Sequence, residues 1–326
     1  MHYGVIGAGG CFAIDFAEYA MSGGARITAV GRNPLRGEEF SLGIQKNQHY
    51  RYHVAHLIYE FEELCDILDV TKPEIIVNFA AQGEGAKSWE KSWRFFDTNC
   101  SALVRLCEFL RSRHWFKRFV HVGTSELYGS VDAPAKEDWP IRPSSPYAAS
   151  KAAFDLYLQS VSRYLQFPMN IIRPSNAYCP GQGLHRLIPN AILCAVTGDK
   201  FHLQGGGVAQ KSYIHARDLS IAIKLIVERG KVGKTYNCGP ENPVSIRDVA
   251  ERCCRAVGVE PEAVIHAAPS RLGQDSRYWL DSTELRADCG WSPRIDWDSG
   301  LNGMVEWVRR YLPALAKQSR EYVVRA

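Results

Sequence analysis

Through the first half of the chain, short apolar runs alternate with helix-length amphipathic segments. That alternation limits the available folds more than any other feature. Tyr3 to Ile6, Arg26 to Val30, Ile75 to Val77, Phe119 to Val122 and Ile171-Ile172 read as strands. Phe12–Met21, Glu60–Leu68, Trp93–Arg113 and Ala148–Leu165 read as helices between them. Several of the strands are apolar at successive positions, so both of their faces need cover. A parallel sheet with helices on both faces satisfies the pattern.

The second half is less regular. Cys179–Gly183 and Gln204–Gly207 are Pro- and Gly-rich loops. Asp218–Glu228 is a strong helix, and Ser245 is placed to cap another one that starts after Pro243. No internal repeat or low-complexity linker separates the two halves. The expected class is α/β: a Rossmann-like parallel sheet with helices on both faces and a smaller C-terminal substrate lobe. Residues 1–175, with contributions from about 213–240, are expected to bind NAD(P). Residues 176–326 are expected to form the substrate lobe, interleaved with the first domain over the carboxyl edge of the sheet, where open α/β folds bind ligands.

Composition narrows the partners. Hydrophobic residues are 46% of the 326, enough for a substantial core, and the net charge of +4 is too small for a general nucleic-acid surface. The ten cysteines are scattered, with no two-residue spacing of a zinc or redox motif. They read as buried thiols, and no metal is expected. The N-terminus runs straight into an apolar strand without a basic leader, and no stretch reaches the ~18 apolar residues of a membrane span. A cytoplasmic protein with no membrane partner is the expectation.

Gly7-Ala8-Gly9-Gly10-Cys11-Phe12-Ala13 follows the first strand and opens the first helix. Small residues there permit a tight turn and bring a pyrophosphate to the free N–H groups of the helix. Gly7, Gly10, Cys11 and Phe12 are therefore candidate cofactor contacts, although a glycine turn between any strand and helix would read alike in isolation. The second strand ends in Val30-Gly31-Arg32, without the acid that usually takes the ribose hydroxyls of NAD. Arg32 is either a partner for a 2′-phosphate or a solvated loop arginine. The first reading favours NADP over NAD.

Tyr147 and Lys151 are four apart on one expected helix, so they share a face. A lysine beside a tyrosine favours phenolate, and such a tyrosine can take a hydroxyl proton while hydride leaves the same carbon. Upstream, the strand Phe119–Val122 ends in Gly123-Thr124-Ser125-Glu126-Leu127-Tyr128-Gly129. With the glycine loop ahead, this order resembles the Ser/Thr-Tyr-Lys set of the extended short-chain dehydrogenase/reductases. The resemblance covers nearly the whole chain. Asn78-Phe79-Ala80-Ala81-Gln82 with Ser88 is similar to that family's segment beside the nicotinamide ribose. Asn99 is similar to the residue that braces the active-site helix near the cofactor. Asn176 and Lys211 stand in segments that contact the diphosphate, and Arg271 in one resembling the Arg-Pro-Gly-His-Asp stretch of dTDP-glucose 4,6-dehydratases.

Thr124-Ser125-Glu126 resembles the nucleotide-sugar 4,6-dehydratases within that family, in the Ser-Glu form of the GDP-mannose type, whereas the Arg271 segment resembles the dTDP-glucose type. The resemblance implies oxidation at carbon 4 assisted by Thr124, Tyr147 and Lys151. Loss of water across carbons 5 and 6 follows, with Glu126 as base and either Ser125 as a relay or Glu126 serving both steps, and hydride then returns to carbon 6. It also implies a nucleotide-diphosphate hexose substrate and a homodimer built on the two long helices. Lys211 in place of the usual Arg, and His56 where an adenine-contacting Asp is common, leave the base unassigned. A 4-epimerase or 4-reductase, or a cofactor-bound sensor without turnover, is the competing reading, and Glu126 with the intact Thr124, Tyr147 and Lys151 argues against each.

Overall fold

The computed structural model describes residues 1–270 and 273–324. At its centre is a seven-stranded sheet made of β1 (His2–Ile6), β2 (Arg26–Gly31), β3 (Tyr50–Val54), β4 (Ile75–Asn78), β5 (Arg118–Val122), β6 (Met169–Pro174) and the strand Thr235–Cys238. The order across the sheet is β3-β2-β1-β4-β5-β6 and then Thr235–Cys238, and every neighbouring pair is parallel.

Helices cover both faces, as the apolar runs require. Cys11–Ser22 and Ala216–Arg229 bring Phe16, Leu219 and Ile223 into one core with Val5 and Val77. Phe61–Thr71, Ala102–Arg111 and Pro146–Leu165 bring Leu64, Leu106 and Phe154 against Ile76 and Phe119 on the other face. Each such side chain, fully buried, contributes about 1.5–3 kcal/mol. The fold is the Rossmann-like class expected. Strand order reverses between β1 and β4, so the chain leaves these strands towards opposite faces and a crevice opens at their carboxyl ends.

The helix expected over Trp93–Arg113 contains a wide turn. It runs as Ser92–Phe96, then a π-helical turn Asp97–Ser101, then Ala102–Arg111. The extra residue in the wide turn rotates the helix face, and buried Asn99 lies within it. In the second half, helices Leu187–Thr197, Ile246–Val257 and Trp297–Leu315 share a separate core of Ile192, Leu193, Val249, Cys253, Met304 and Val308. The last of these helices is distorted at Tyr311, next to Pro313, and the chain beyond it reaches back to the crevice. Among the described residues, no helix is long and apolar enough to cross a membrane.

Candidate active site

The crevice begins at the glycine loop. Gly7 has φ 81°, and a Cβ there would lie 2.4 Å from the backbone nitrogen of Ala80. Only glycine lets the ends of β1 and β4 approach this closely. Gly10 is the N-cap of helix Cys11–Ser22, supplies no side-chain cap, and is followed by no acid in the first turn. The first amides of that helix therefore keep their capacity for an anion. Cys11 and Phe12 are half-buried at its start. This cradle fits a dinucleotide pyrophosphate.

The floor is braced across β4. Asn99 Oδ1 accepts from Gln82 N at 2.7 Å, and Asn99 Nδ2 donates to Gln82 O at 3.0 Å and to Ser150 Oγ at 2.9 Å. Its amide hydrogens are thus committed to Gln82 and Ser150. Ala80 and Ala81 follow β4 beside Gly7. Ser88 Oγ donates to Gly85 O at 2.6 Å, so this expected substrate residue shapes the loop from below.

Thr124, Ser125 and Glu126 follow β5. Thr124 caps the short 3-10 turn Ser125–Tyr128, its Oγ1 accepting from Glu126 N at 3.2 Å. Glu126 and Thr124 both lie near enough to the Tyr147 hydroxyl to act on its proton affinity, in opposite directions. The Glu126 carboxylate reaches towards Gly85, where an added Cβ would lie 3.4 Å from its Oε2. Ser125 is buried beside them. Ser145 caps helix Pro146–Leu165, accepting from Ala148 N at 3.2 Å, and so sets the first turn that carries Tyr147. Threonine, tyrosine and glutamate lie close together beyond the end of β5.

Lys151 sits on the same helix, one turn after Tyr147. Its Nζ donates to Val122 O at 2.7 Å and lies 3.2 Å from His121 Nε2, turned into the protein. Burial pushes the Tyr147 phenol above its ordinary value, Glu126 adds to that rise, and Thr124 and then Arg186 oppose it. Burial holds Lys151 itself down at about 8, against the pull of Asp155. Beneath it runs a polar seam with no sequence motif to announce it. Asp155 pairs with Arg173 Nε at 2.9 Å, and Arg173 Nη1 donates to Tyr128 OH at 2.6 Å, which donates to Asn237 Oδ1 at 2.9 Å.

The rim is assembled from distant segments. Arg186, ahead of helix Leu187–Thr197, pairs with Glu84 at 3.3 Å and raises no alarm in the sequence. Tyr322, beyond the last helix, accepts from Gly83 N at 3.0 Å and donates to Gln82 Oε1 at 3.0 Å. The charges of Arg186 and Arg32 also reach it, placing Arg32 towards the same cleft. In the second lobe, the strand beginning at Asn176 pairs with Tyr213–His215, and buried Lys211 lies just ahead with its Nζ 4.0 Å from the Tyr278 ring centroid. Arg271 lies outside the described residues. No group of three or more His, Cys, Asp or Glu among the described residues could hold a metal.

Comparison with known proteins bears on both family and cofactor. The family model described as GDP-mannose 4,6 dehydratase matches residues 12–304. The dTDP-glucose 4,6-dehydratase of Streptomyces niveus is 31% identical over 313 residues, covering 94% of this chain and 92% of that one. The Arabidopsis thaliana trifunctional UDP-glucose 4,6-dehydratase/UDP-4-keto-6-deoxy-D-glucose 3,5-epimerase/UDP-4-keto-L-rhamnose-reductase RHM1 is 32% identical over 238 residues. That match covers 72% of this chain, which spans only 35% of the plant protein's length. Among solved structures, the dTDP-glucose 4,6-dehydratase DesIV of Streptomyces venezuelae, with NAD and TYD bound, superposes with TM-score 0.88 at 25% identity, covering 95% of this chain and 97% of that one. The NAD in that structure overturns the expectation of NADP drawn from Arg32. A guanidinium donates to ribose hydroxyls as well as to a phosphate, so the missing acid after β2 does not specify a 2′-phosphate. On the family-model match, the chain belongs to the GDP-mannose 4,6 dehydratase family.

Proposed function

We propose that this chain is an NAD-dependent nucleotide-diphosphate-sugar 4,6-dehydratase, releasing a 4-keto-6-deoxy sugar nucleotide. The observation that carries this reading is the cluster at the end of β5. One carboxylate, Glu126, and the Thr124 hydroxyl that caps its turn both lie near enough to the phenol of Tyr147 to act on its proton affinity. An alcohol oxidation alone needs only the phenol and the hydroxyl. A carboxylate at the same point supplies a second base for a second carbon.

When bound, NAD supplies the hydride acceptor for carbon 4 and the hydride donor for carbon 6. The chain's own groups handle the protons. Thr124 orients the 4-hydroxyl, and Tyr147 as phenolate takes its proton. The ketone so formed acidifies the carbon 5 hydrogen, which Glu126 removes, and water leaves from carbon 6. Ser125, buried next to Glu126, relays the proton to the departing hydroxide. Gly7, Gly10, Cys11 and Phe12 cradle the cofactor pyrophosphate, and Ala80, Ala81 and Gln82 flank the nicotinamide end. Asn176 and Lys211 face the substrate diphosphate from the second lobe, which residues 176–326 chiefly form.

Exposed Trp93, Phe96, Leu156 and Tyr164 on the two helical segments Ser92–Arg111 and Pro146–Leu165 support a homodimer through those helices. The activity is tested by incubating the protein and NAD with dTDP-, UDP-, GDP- and CDP-hexoses. Formation of a 4-keto-6-deoxy product from one of them is expected. A product that keeps its 6-hydroxyl would refute the assignment.

A further inference from the structure

The helix Trp297–Leu315 is followed by residues 316–324, which form no further helix or strand. Exposure alternates along their second half. Ser319, Glu321 and Val323 are exposed, whereas Arg320 and Tyr322 are half-buried. A period of two is that of extended chain with one side laid on a surface. Here the surface is the mouth of the crevice.

The segment is fastened at two points. Arg320 Nη2 donates to Asp199 Oδ2 at 2.6 Å, and Arg320 Nη1 to Cys194 Sγ at 3.2 Å. Thr197 Oγ1 donates to the same oxygen of Asp199 at 2.8 Å and holds the carboxylate in place. Cys194, Thr197 and Asp199 lie in or just after helix Leu187–Thr197, in the second lobe. Two residues on, the Tyr322 ring meets His185 edge to face, with centroids 5.1 Å apart. Its hydroxyl accepts from Gly83 N and donates to Gln82 Oε1, both at 3.0 Å. Arg186 Nη2 donates to Gly83 O at 3.4 Å, so both backbone polar groups of Gly83 are held from the second lobe and the segment after it. The same loop runs on to Gly85, which faces the Glu126 carboxylate. What Tyr322 holds is therefore the wall beside Glu126.

The phenol lies over the crevice rather than beside it. Burial raises it above its ordinary value, and the Gly83 amide, Arg186 and Arg32 oppose that rise. Tyr322 in turn adds to the rise that burial imposes on Tyr147. Arg32 follows β2, and Tyr147 belongs to the cluster beyond β5, on opposite sides of the boundary between β1 and β4. A side chain near enough to both spans the gap between them.

We propose that residues 316–324 are a strap that closes the crevice, with Tyr322 a positioning residue for the Gln82–Gly85 loop and the Arg320–Asp199 pair its latch. The strap can lift because its bonds are few, the phenol contacts are neutral and the latch is partly exposed. The latch grips helix Leu187–Thr197 and not the reacting groups, so it sets how often the strap opens without entering the chemistry. A reaction that returns its hydride to the sugar does not release its cofactor at each turnover. A cover that slows NAD release is compatible with that cycle, and this part rests on the dehydratase reading.

The test uses the full-length protein. Hydrogen exchange is read by mass spectrometry on peptides containing Gly83 and Tyr322, and labelled NAD is chased with excess unlabelled NAD. Arg320→Ala removes only the latch. Gly83 exchange and NAD release should each quicken about three-fold, as loss of a partly exposed ion pair allows. Arg320→Lys keeps a cation for Asp199 and should restore part of the difference. Tyr322→Phe keeps the ring against His185 and removes both hydroxyl bonds, so Gly83 exchange should quicken about tenfold. KM for the accepted nucleotide hexose should rise a few-fold with kcat kept, and melting temperatures should stay close to that of the unmodified protein. Exchange and NAD release unchanged in both variants would overturn the strap, as would exchange quickened equally throughout the molecule. Tighter NAD binding by the variants would mean that the segment stands in the cofactor's place, which overturns it too. A protein that binds no NAD at all would remove the dehydratase reading, and Gly83 exchange alone would then decide for or against the strap.

Discussion

The floor and the rim of the crevice are built in different ways. The floor consists of strand ends and one helix, and its polar side chains are buried and multiply bonded: Asn99 makes three hydrogen bonds, and Arg173 reaches Asp155, Tyr128 and Glu137 O. The rim consists of Gly83–Gly85, Arg186 and Tyr322, joined by a few contacts between segments far apart in the chain. Groups that must be held to a fraction of an ångström for proton transfer sit on the floor. Groups that must admit and release a nucleotide sugar sit on the rim, where fewer bonds have to break. Substitutions in the floor should therefore act on kcat and on stability, and substitutions in the rim on KM.

The largest effects should fall on the reacting groups. Tyr147→Phe and Glu126→Gln keep shape and remove a proton acceptor, so each should lower kcat by ~10²–10⁴ with nucleotide-sugar affinity held within a few-fold. Tyr147→Phe should block oxidation, whereas Glu126→Gln should stop after it, with reduced cofactor seen by absorbance. Stopped-flow traces that are identical for the two variants would erase the distinction between their roles.

Next comes the seam below. Arg173→Met would leave the Asp155 carboxylate buried without its ion-pair partner, at a cost of about 3–5 kcal/mol in urea unfolding. Asp155→Asn in the same chain should recover part of that loss, since no charge is then stranded. If the single and double variants unfold alike, the pair is not what holds the floor.

Lys151 gives a pH-dependent effect with a definite sign. Its folded value of about 8 lies below the ordinary 10.5. Between those values the unfolded chain binds more protons than the folded one, so stability should rise as pH climbs from about 8 towards 10.5. Lys151→Met should lack that rise. Parallel stability curves for the two proteins would contradict the buried, inward position of the amine.

The smallest effect belongs to the rim. Tyr322→Phe removes the hydroxyl contacts to Gln82 and Gly83, each neutral and worth about 0.5–1.5 kcal/mol. Unfolding should change little and KM should rise a few-fold with kcat kept. A loss of kcat as large as that of Tyr147→Phe would move Tyr322 from rim to floor.

The same contrast explains what could be read in the sequence. Thr124-Ser125-Glu126, Tyr147 with Lys151, and the Gly7 loop are local: their spacing along one strand end, one helix or one turn already puts them together. Central strands such as β1, buried at all five positions, announce themselves as short, mostly apolar runs. The edge strand β3, Tyr-Arg-Tyr-His-Val, covers only part of its surface and gives no such signal. His121, Asp155 and Arg173 were hidden because each lies singly in an apolar strand or helix, and only the sheet brings them into contact. Tyr322 was hidden because its partners lie 239 and 240 residues away. The π-helical turn at Asn99 left the helical period nearly intact and so passed as ordinary helix. Arg32 misled for a chemical reason, since one guanidinium serves a hydroxyl as well as a phosphate.

The central claim is that two bases at one strand end act on two carbons of a sugar. Turnover of the accepted nucleotide-diphosphate hexose in deuterated water tests it most directly. The account predicts a 4-keto-6-deoxy product with solvent deuterium at carbon 5, with NAD needed only in catalytic amount. In Glu126→Gln that incorporation should nearly vanish. A product that retains both its 6-hydroxyl and its original carbon 5 hydrogen would contradict the account and leave Glu126 without a role in the chemistry.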